Sequence, residues 1–67
     1  MSIYQKRIKE IAPEHDPRHI EAYMRLEHNT LDGLSYEKFK QEVAIGVECI
    51  KEAGIENAEK CAQSFGL

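Results

Sequence analysis

The sequence predicts an all-α fold, a compact bundle of four short helices around a central αα-hairpin. Three observations predict it. Apolar residues recur at three- and four-residue spacings along most of the chain. Helix-start signals stand at Ser2, Asp16-Pro17 and Ser35, and helix-stop signals at Pro13 and Gly54. The stretch between the second and third periodic segments, Thr30-Leu31-Asp32-Gly33-Leu34-Ser35, is too short to let two helices do anything but turn back on each other.

The first helix is expected over about residues 2–12. Ser2 suits the N-cap, and Ile3, Tyr4, Ile8, Ile11 and Ala12 form one stripe. Pro13 stops it, because the residue before a proline avoids the helical region. The second helix, about 17–29, opens with Asp16 as cap and Pro17 preset for the first helical position. Arg18, Glu21, Arg25 and His28 project as a narrow polar face, and Ile20, Ala22, Tyr23, Met24 and Leu26 fill a wide apolar arc. A helix apolar over so much of its circumference needs partners on two sides, which places it at the centre of the bundle.

The third helix, about 36–53, starts after Ser35 with Glu37 in its first turn. Tyr36, Phe39, Val43, Val47 and Ile50 form its expected buried stripe, and Gly54 its stop. Gly46 stands mid-helix at a cost of about 1 kcal/mol relative to alanine. Close approach of another backbone is the usual reason to keep such a residue. Ile45 projects away from the stripe, either under a terminal helix or at an intersubunit contact. The fourth helix, about 56–64, places Ile55, Ala58, Cys61, Ala62 and Phe65 on one side, and Gly66 ends it. The 67 residues make one domain, 1–67, with no repeat and no low-complexity segment. A chain this short buries only about 60% of its unfolded surface, so a homodimer would add useful cover.

Composition excludes several functions. The net charge is −3, and the nine basic residues are scattered, with no run longer than Lys6-Arg7. Phosphate binding needs a clustered basic face, so nucleic acid is not an expected partner. A helix-turn-helix is approached by Ala58 to Leu67, but the groove-reading element does not follow. The third helix carries Glu37, Glu42, Glu48 and Glu52, which phosphates repel. No apolar run approaches the roughly 20 residues of a membrane span. The stretch Met1-Ser2-Ile3-Tyr4-Gln5-Lys6 has no signal-peptide core, so a cytoplasmic protein is expected. In that reducing compartment Cys49 and Cys61 read as small apolar residues, not a disulfide.

Few residues suggest chemistry. His15 and His19 are four apart, but Pro17 begins a helix between them, and His28 is more than two turns further on. No metal site is expected from this set. His19 and Glu27 both project into the apolar arc of the second helix and need partners there. At eight residues apart they stand roughly 12 Å from one another. A structural role fits better than an acid–base pair: Glu27 tied to a base or to the amides opening the third helix, and His19 filling a gap between helices. No glycine-rich phosphate loop and no activated nucleophile is present, so neither catalytic residues nor cofactors are assigned.

The segments Asp16-Pro17-Arg18-His19-Ile20-Glu21-Ala22-Tyr23-Met24-Arg25-Leu26-Glu27, Thr30-Leu31-Asp32-Gly33-Leu34-Ser35 and Ser64-Phe65-Gly66-Leu67 resemble small proteins carried by bacterial prophages and other mobile elements. That resemblance brings no catalytic residues. It implies a compact accessory protein that binds a host or phage protein. The expected contact surface is the polar face Arg18, Glu21, Arg25 and His28, or the seam at Ile45 and Gly46. The alternative function is a transcriptional accessory protein with weak or indirect DNA contact.

Overall fold

The computed structural model describes residues 2–67. Met1, the first residue of the stretch expected to lack a signal-peptide core, lies outside them. Four helices follow in order: α1 Ile3–Ile11, α2 Pro17–Glu27, α3 Tyr36–Ala53 and α4 Ile55–Ser64. The described residues contain no strand. The radius of gyration, 10.6 Å, is close to the roughly 11 Å of a packed chain of this length.

Local chemistry sets the boundaries. Ser2 Oγ accepts from the Gln5 amide at 3.2 Å, and Ser35 Oγ from the Lys38 amide at 3.2 Å, which satisfies otherwise free first-turn donors. Asp16 Oδ1 accepts from the Arg18 amide at 2.9 Å, with Pro17 at the first helical position. α2 ends at Glu27, two residues before the expected Asn29. His28 turns extended, with φ −132° and ψ 129°, and the chain then buries Leu31 in the core. Burying Leu31 outweighs continuing a helix through Asn29 and Thr30. Gly54 alone joins α3 to α4, at φ +90° and ψ 158°, a conformation essentially reserved for glycine. Its N–H closes α3 on Ile50 and its carbonyl opens α4 by accepting from Ala58, so α4 begins at Ile55 and not 56.

α4 ends in a Schellman motif. Gly66 has φ +74°; its N–H bonds Gln63 O at 2.9 Å, and Leu67 N–H bonds Ala62 O at 2.9 Å. The tail therefore folds back toward the start of α2.

The core gathers Ile8, Ala12, Ile20, Met24, Leu31, Phe39, Val43, Ile50 and Ala58. Tyr4 stacks on Phe39 with ring centroids 6.5 Å apart. α2 packs against all three other helices, as its wide apolar arc predicts, and α1 does not pack on α4. A Cβ at Gly46 would stand 3.2 Å from Ile20 Cγ2 and 3.6 Å from Ile20 O. This is the close backbone approach that the mid-helix glycine implied.

Five apolar expectations need correction, and the first is Ile3, exposed at the start of α1. Tyr36 is 61% exposed; at the first position of α3 its ring points outward, beneath Lys40 Nζ at 5.1 Å. Ile55 and Phe65, at the two ends of α4, are exposed, which leaves Ala58 and Ala62 as its buried side chains. Leu26 is 63% exposed, so the apolar arc of α2 is not covered along its whole length.

Candidate functional site

The Ile20–Gly46 contact orients the polar chemistry. The residues on either side of Ile20 project about 100° to its left and right. Glu21 meets α1 through Gln5, and His19 meets α4 through Glu59. α1 and α4 therefore flank α2 on opposite sides.

On the α1 side, Glu21 is only 2% exposed. Gln5 Nε2 donates to its Oε1 at 2.8 Å, and Arg25 Nε donates to its Oε2 at 2.8 Å. Both carboxylate oxygens are satisfied, as a buried charge requires. At the hairpin end, Glu42 is buried between Lys38 Nζ at 3.4 Å and His28 Nε2 at 3.5 Å. His28 Nε2 is itself buried and finds no hydrogen-bond partner among the described residues.

The residues of the expected contact surface stand in different surroundings. Arg18, Glu21, Arg25 and His28 do share a side of α2, and each has a charged group beside it within the chain: Glu59 for Arg18, Arg25 for Glu21 within the helix, and Glu42 at 3.5 Å for His28. Gly46 is buried against Ile20, while Ile45 beside it is 50% exposed. Of the six residues, Ile45 is the one that stands in the open.

The densest polar constellation lies where α2 begins, against α4. Arg18 Nη2 donates to Asp16 Oδ2 at 2.8 Å and to Glu59 Oε1 at 2.7 Å. Arg18 Nη1 reaches Glu59 Oε2 at 3.3 Å and the Leu67 carbonyl at 3.4 Å. His19 Nε2 lies 2.8 Å from Glu59 Oε1 and 3.8 Å from Asp16 Oδ2. Gln63 Nε2 donates to Glu59 Oε2 at 3.2 Å. His19 is buried, whereas Asp16, Arg18 and Glu59 each expose about a third of the side chain.

The electrostatics follow from these bonds. The hydrogen bond with His19, then that from Arg18, holds the Glu59 carboxyl down at about 2. Arg18 holds Asp16 below the usual carboxylate range, and Asp16 and Glu59 in turn raise the Arg18 guanidinium. Both carboxylates are thus ionised at neutral pH. An ionised carboxylate only accepts, so the 2.8 Å contact places a proton on His19 Nε2.

Asp16, His19 and Glu59 each offer one ligand atom, all within 4.8 Å of one another. The three-histidine set weighed from the sequence is not this cluster. His15 lies 3.8 Å from Glu14 and His28 sits at Glu42, so neither joins His19. Glu27 is exposed and is not the partner of His19; Glu59 is. The sequence shows no local sign of that pair, because forty positions separate His19 from Glu59.

Cys49 and Cys61 are free thiols, both half-buried. Burial pushes the Cys61 thiol up, away from the reactive thiolate. Burial, with smaller contributions from Cys61 and Cys49, also raises the Tyr23 phenol. No helix among the described residues is long and apolar enough to cross a membrane. No family model, no curated protein and no solved structure matches the chain.

Proposed function

We propose that the chain is a small non-enzymatic accessory protein, of the phage or mobile-element kind its sequence resembles, acting in the cytoplasm by contact with another protein. One observation carries this: large apolar side chains left uncovered on one side of the hairpin. α2 and α3 run antiparallel, since Ile20 meets Gly46 and the later His28 meets the earlier Glu42. Projected from the Ile20–Gly46 contact, Leu26 and Ile45 both turn roughly 100–120° to the same side. That is also the side on which His19 meets α4. α4 covers part of this side and leaves Leu26 and Ile45 exposed. Leu26 and Ile45, two of the exposed large apolar side chains, share that side and suit a protein partner. The raised Cys61 thiol and the internally paired charges favour contact over nucleophilic chemistry.

The test is Leu26→Glu and Ile45→Glu, made singly, with helicity and Tm checked first. In vivo crosslinking followed by mass spectrometry should then show the same crosslinked partner lost in both folded variants. Light scattering separates the two kinds of partner: a doubled mass that halves in both variants means a second copy of this chain. If both variants keep every crosslink and the parent mass, the contact reading is wrong.

A further inference from the structure

We propose that Asp16, His19 and Glu59 form a binding site for a divalent first-row metal ion, zinc(II) foremost, which takes the place of the Arg18 guanidinium. Three observations point there. The donors are one imidazole nitrogen and two carboxylate oxygens, the mixed set that zinc accepts. They come from two places far apart in the chain, the start of α2 and the middle of α4, and converge within 4.8 Å. A tetrahedral zinc with bonds of about 2.0–2.2 Å keeps neighbouring ligands about 3.3–3.6 Å apart. The separations from His19 Nε2, 2.8 Å to Glu59 and 3.8 Å to Asp16, bracket that range.

The second observation is the cation already there. Arg18 Nη2 bonds the same two oxygens, Asp16 Oδ2 and Glu59 Oε1, that the metal would take. The place is therefore already selected for positive charge. One guanidinium cannot by itself neutralise two ionised carboxylates. A divalent ion would cancel both.

The third observation is access. The Arg18 side chain is 38% exposed, so its guanidinium can swing into water without disturbing the core. His19 is held from behind by burial, which keeps the imidazole in place for the incoming ion. Binding needs the Nε2 lone pair. The proton now directed at Glu59 moves to Nδ1, or to solvent if the ring is cationic. Water fills the remaining coordination position. Bound metal would tie the first turn of α2 to α4 more tightly than the guanidinium does.

This inference does not depend on the protein-contact reading. The experiment is titration of the tag-free full chain with zinc(II) at neutral pH, by calorimetry and by NMR of the imidazole resonances. The variants are His19→Gln, Glu59→Gln and Arg18→Gln. The expected result is one zinc per chain, with His19 resonances shifted and Tm raised. His19→Gln and Glu59→Gln should each weaken binding by at least the roughly 10–100-fold that losing an outer-shell partner costs. Arg18→Gln should tighten it several-fold. Glu59→Gln keeps the side-chain volume, so it reports even if His19→Gln fails to fold. The proposal is overturned if the parent chain shows no saturable binding, even where Arg18→Gln does. It is equally overturned if Glu59→Gln binds as tightly as the parent, or if the shifted resonances belong to His15 or His28.

Discussion

α2 is held on its two sides by different physics. The α1 side is built from large side chains: Ile8 is fully buried, Tyr4 reaches past α2 to stack on Phe39 of α3, and the one carboxylate, Glu21, is sealed beneath Gln5 and Arg25. The α4 seam buries only Ala58 and Ala62, and closes at its edge with the partly exposed cluster of Asp16, Arg18, His19 and Glu59. Both seams contain an arginine–carboxylate pair, yet the roles differ. A sealed carboxylate with both oxygens satisfied is part of the packing. A partly exposed one, though its oxygens are also paired, is within reach of water and responds to protons, salt and cations. Burial, not residue type, separates them.

The largest expected difference comes from truncating the α1 seam. Ile8→Ala should cost about 2–5 kcal/mol, from lost transfer energy and the cavity left behind. In a domain this small that is a large part of the total stability. Urea denaturation followed by circular dichroism checks it. A cost under about 1 kcal/mol would mean that α1 is not held by burial and that the contrast is false. On the other side, the same large-to-small logic has nothing to remove. The sensitive direction there is small-to-large. Ala58 is fully buried, and Ala58→Leu should cost about 1–3 kcal/mol by overpacking and push α4 outward. Heteronuclear NMR should place the resulting shifts at Arg18, His19 and Glu59. Shifts confined to α1 would contradict the two-seam description.

This contrast was only half legible in the sequence. Start and stop signals are local, so Ser2, Asp16-Pro17, Ser35 and Gly54 mark helix ends to within a residue or so. Gly46 announced a close approach because a glycine mid-helix has few other uses. Periodicity also placed α2 at the centre. It could not say which neighbours arrive on which side. Glu21 therefore looked like solvent-facing polarity, though α1 covers it. Tyr36 and Ile55 looked buried, though each sits at a helix start, where the packed surface does not reach. The His19–Glu59 pair depends on how two distant segments cross, and no local pattern encodes that.

Acid should act on the α4 seam. Glu59 falls from its ordinary 4.5 to about 2 in the folded chain. Across that interval the unfolded chain takes up the proton first, so unfolding binds protons and stability drops as the pH falls. Above about 4.5 the contribution is complete; below about 2 it is gone. Asp16 is shifted in the same direction and steepens the same limb. Tm measured from pH 6 down to 2 should therefore decline, and Glu59→Gln should make the decline shallower. An unchanged slope in that variant would show that the carboxylate at α4 contributes no proton linkage, and the α4 seam would have to be ascribed to its alanines alone.

The smallest expected effect sharpens the point that position decides what a charge pair does. Lys51 and Glu48 stand 3.6 Å apart on α3, and Lys40 and Glu37 3.7 Å apart, with each of these side chains well exposed. Such pairs contribute about 0–1 kcal/mol, offset by side-chain entropy and screened by salt. Lys51→Ala should change stability by less than about 0.5 kcal/mol, with the same acid limb as the parent chain. Arg18→Ala, by contrast, leaves Asp16 and Glu59 facing each other beside a buried imidazole, and should alter both Tm and its pH dependence. If Lys51→Ala moved Tm as far as Arg18→Ala, the cluster at the α2–α4 junction would be one more solvated ion pair, with no special claim to hold the helix or a metal.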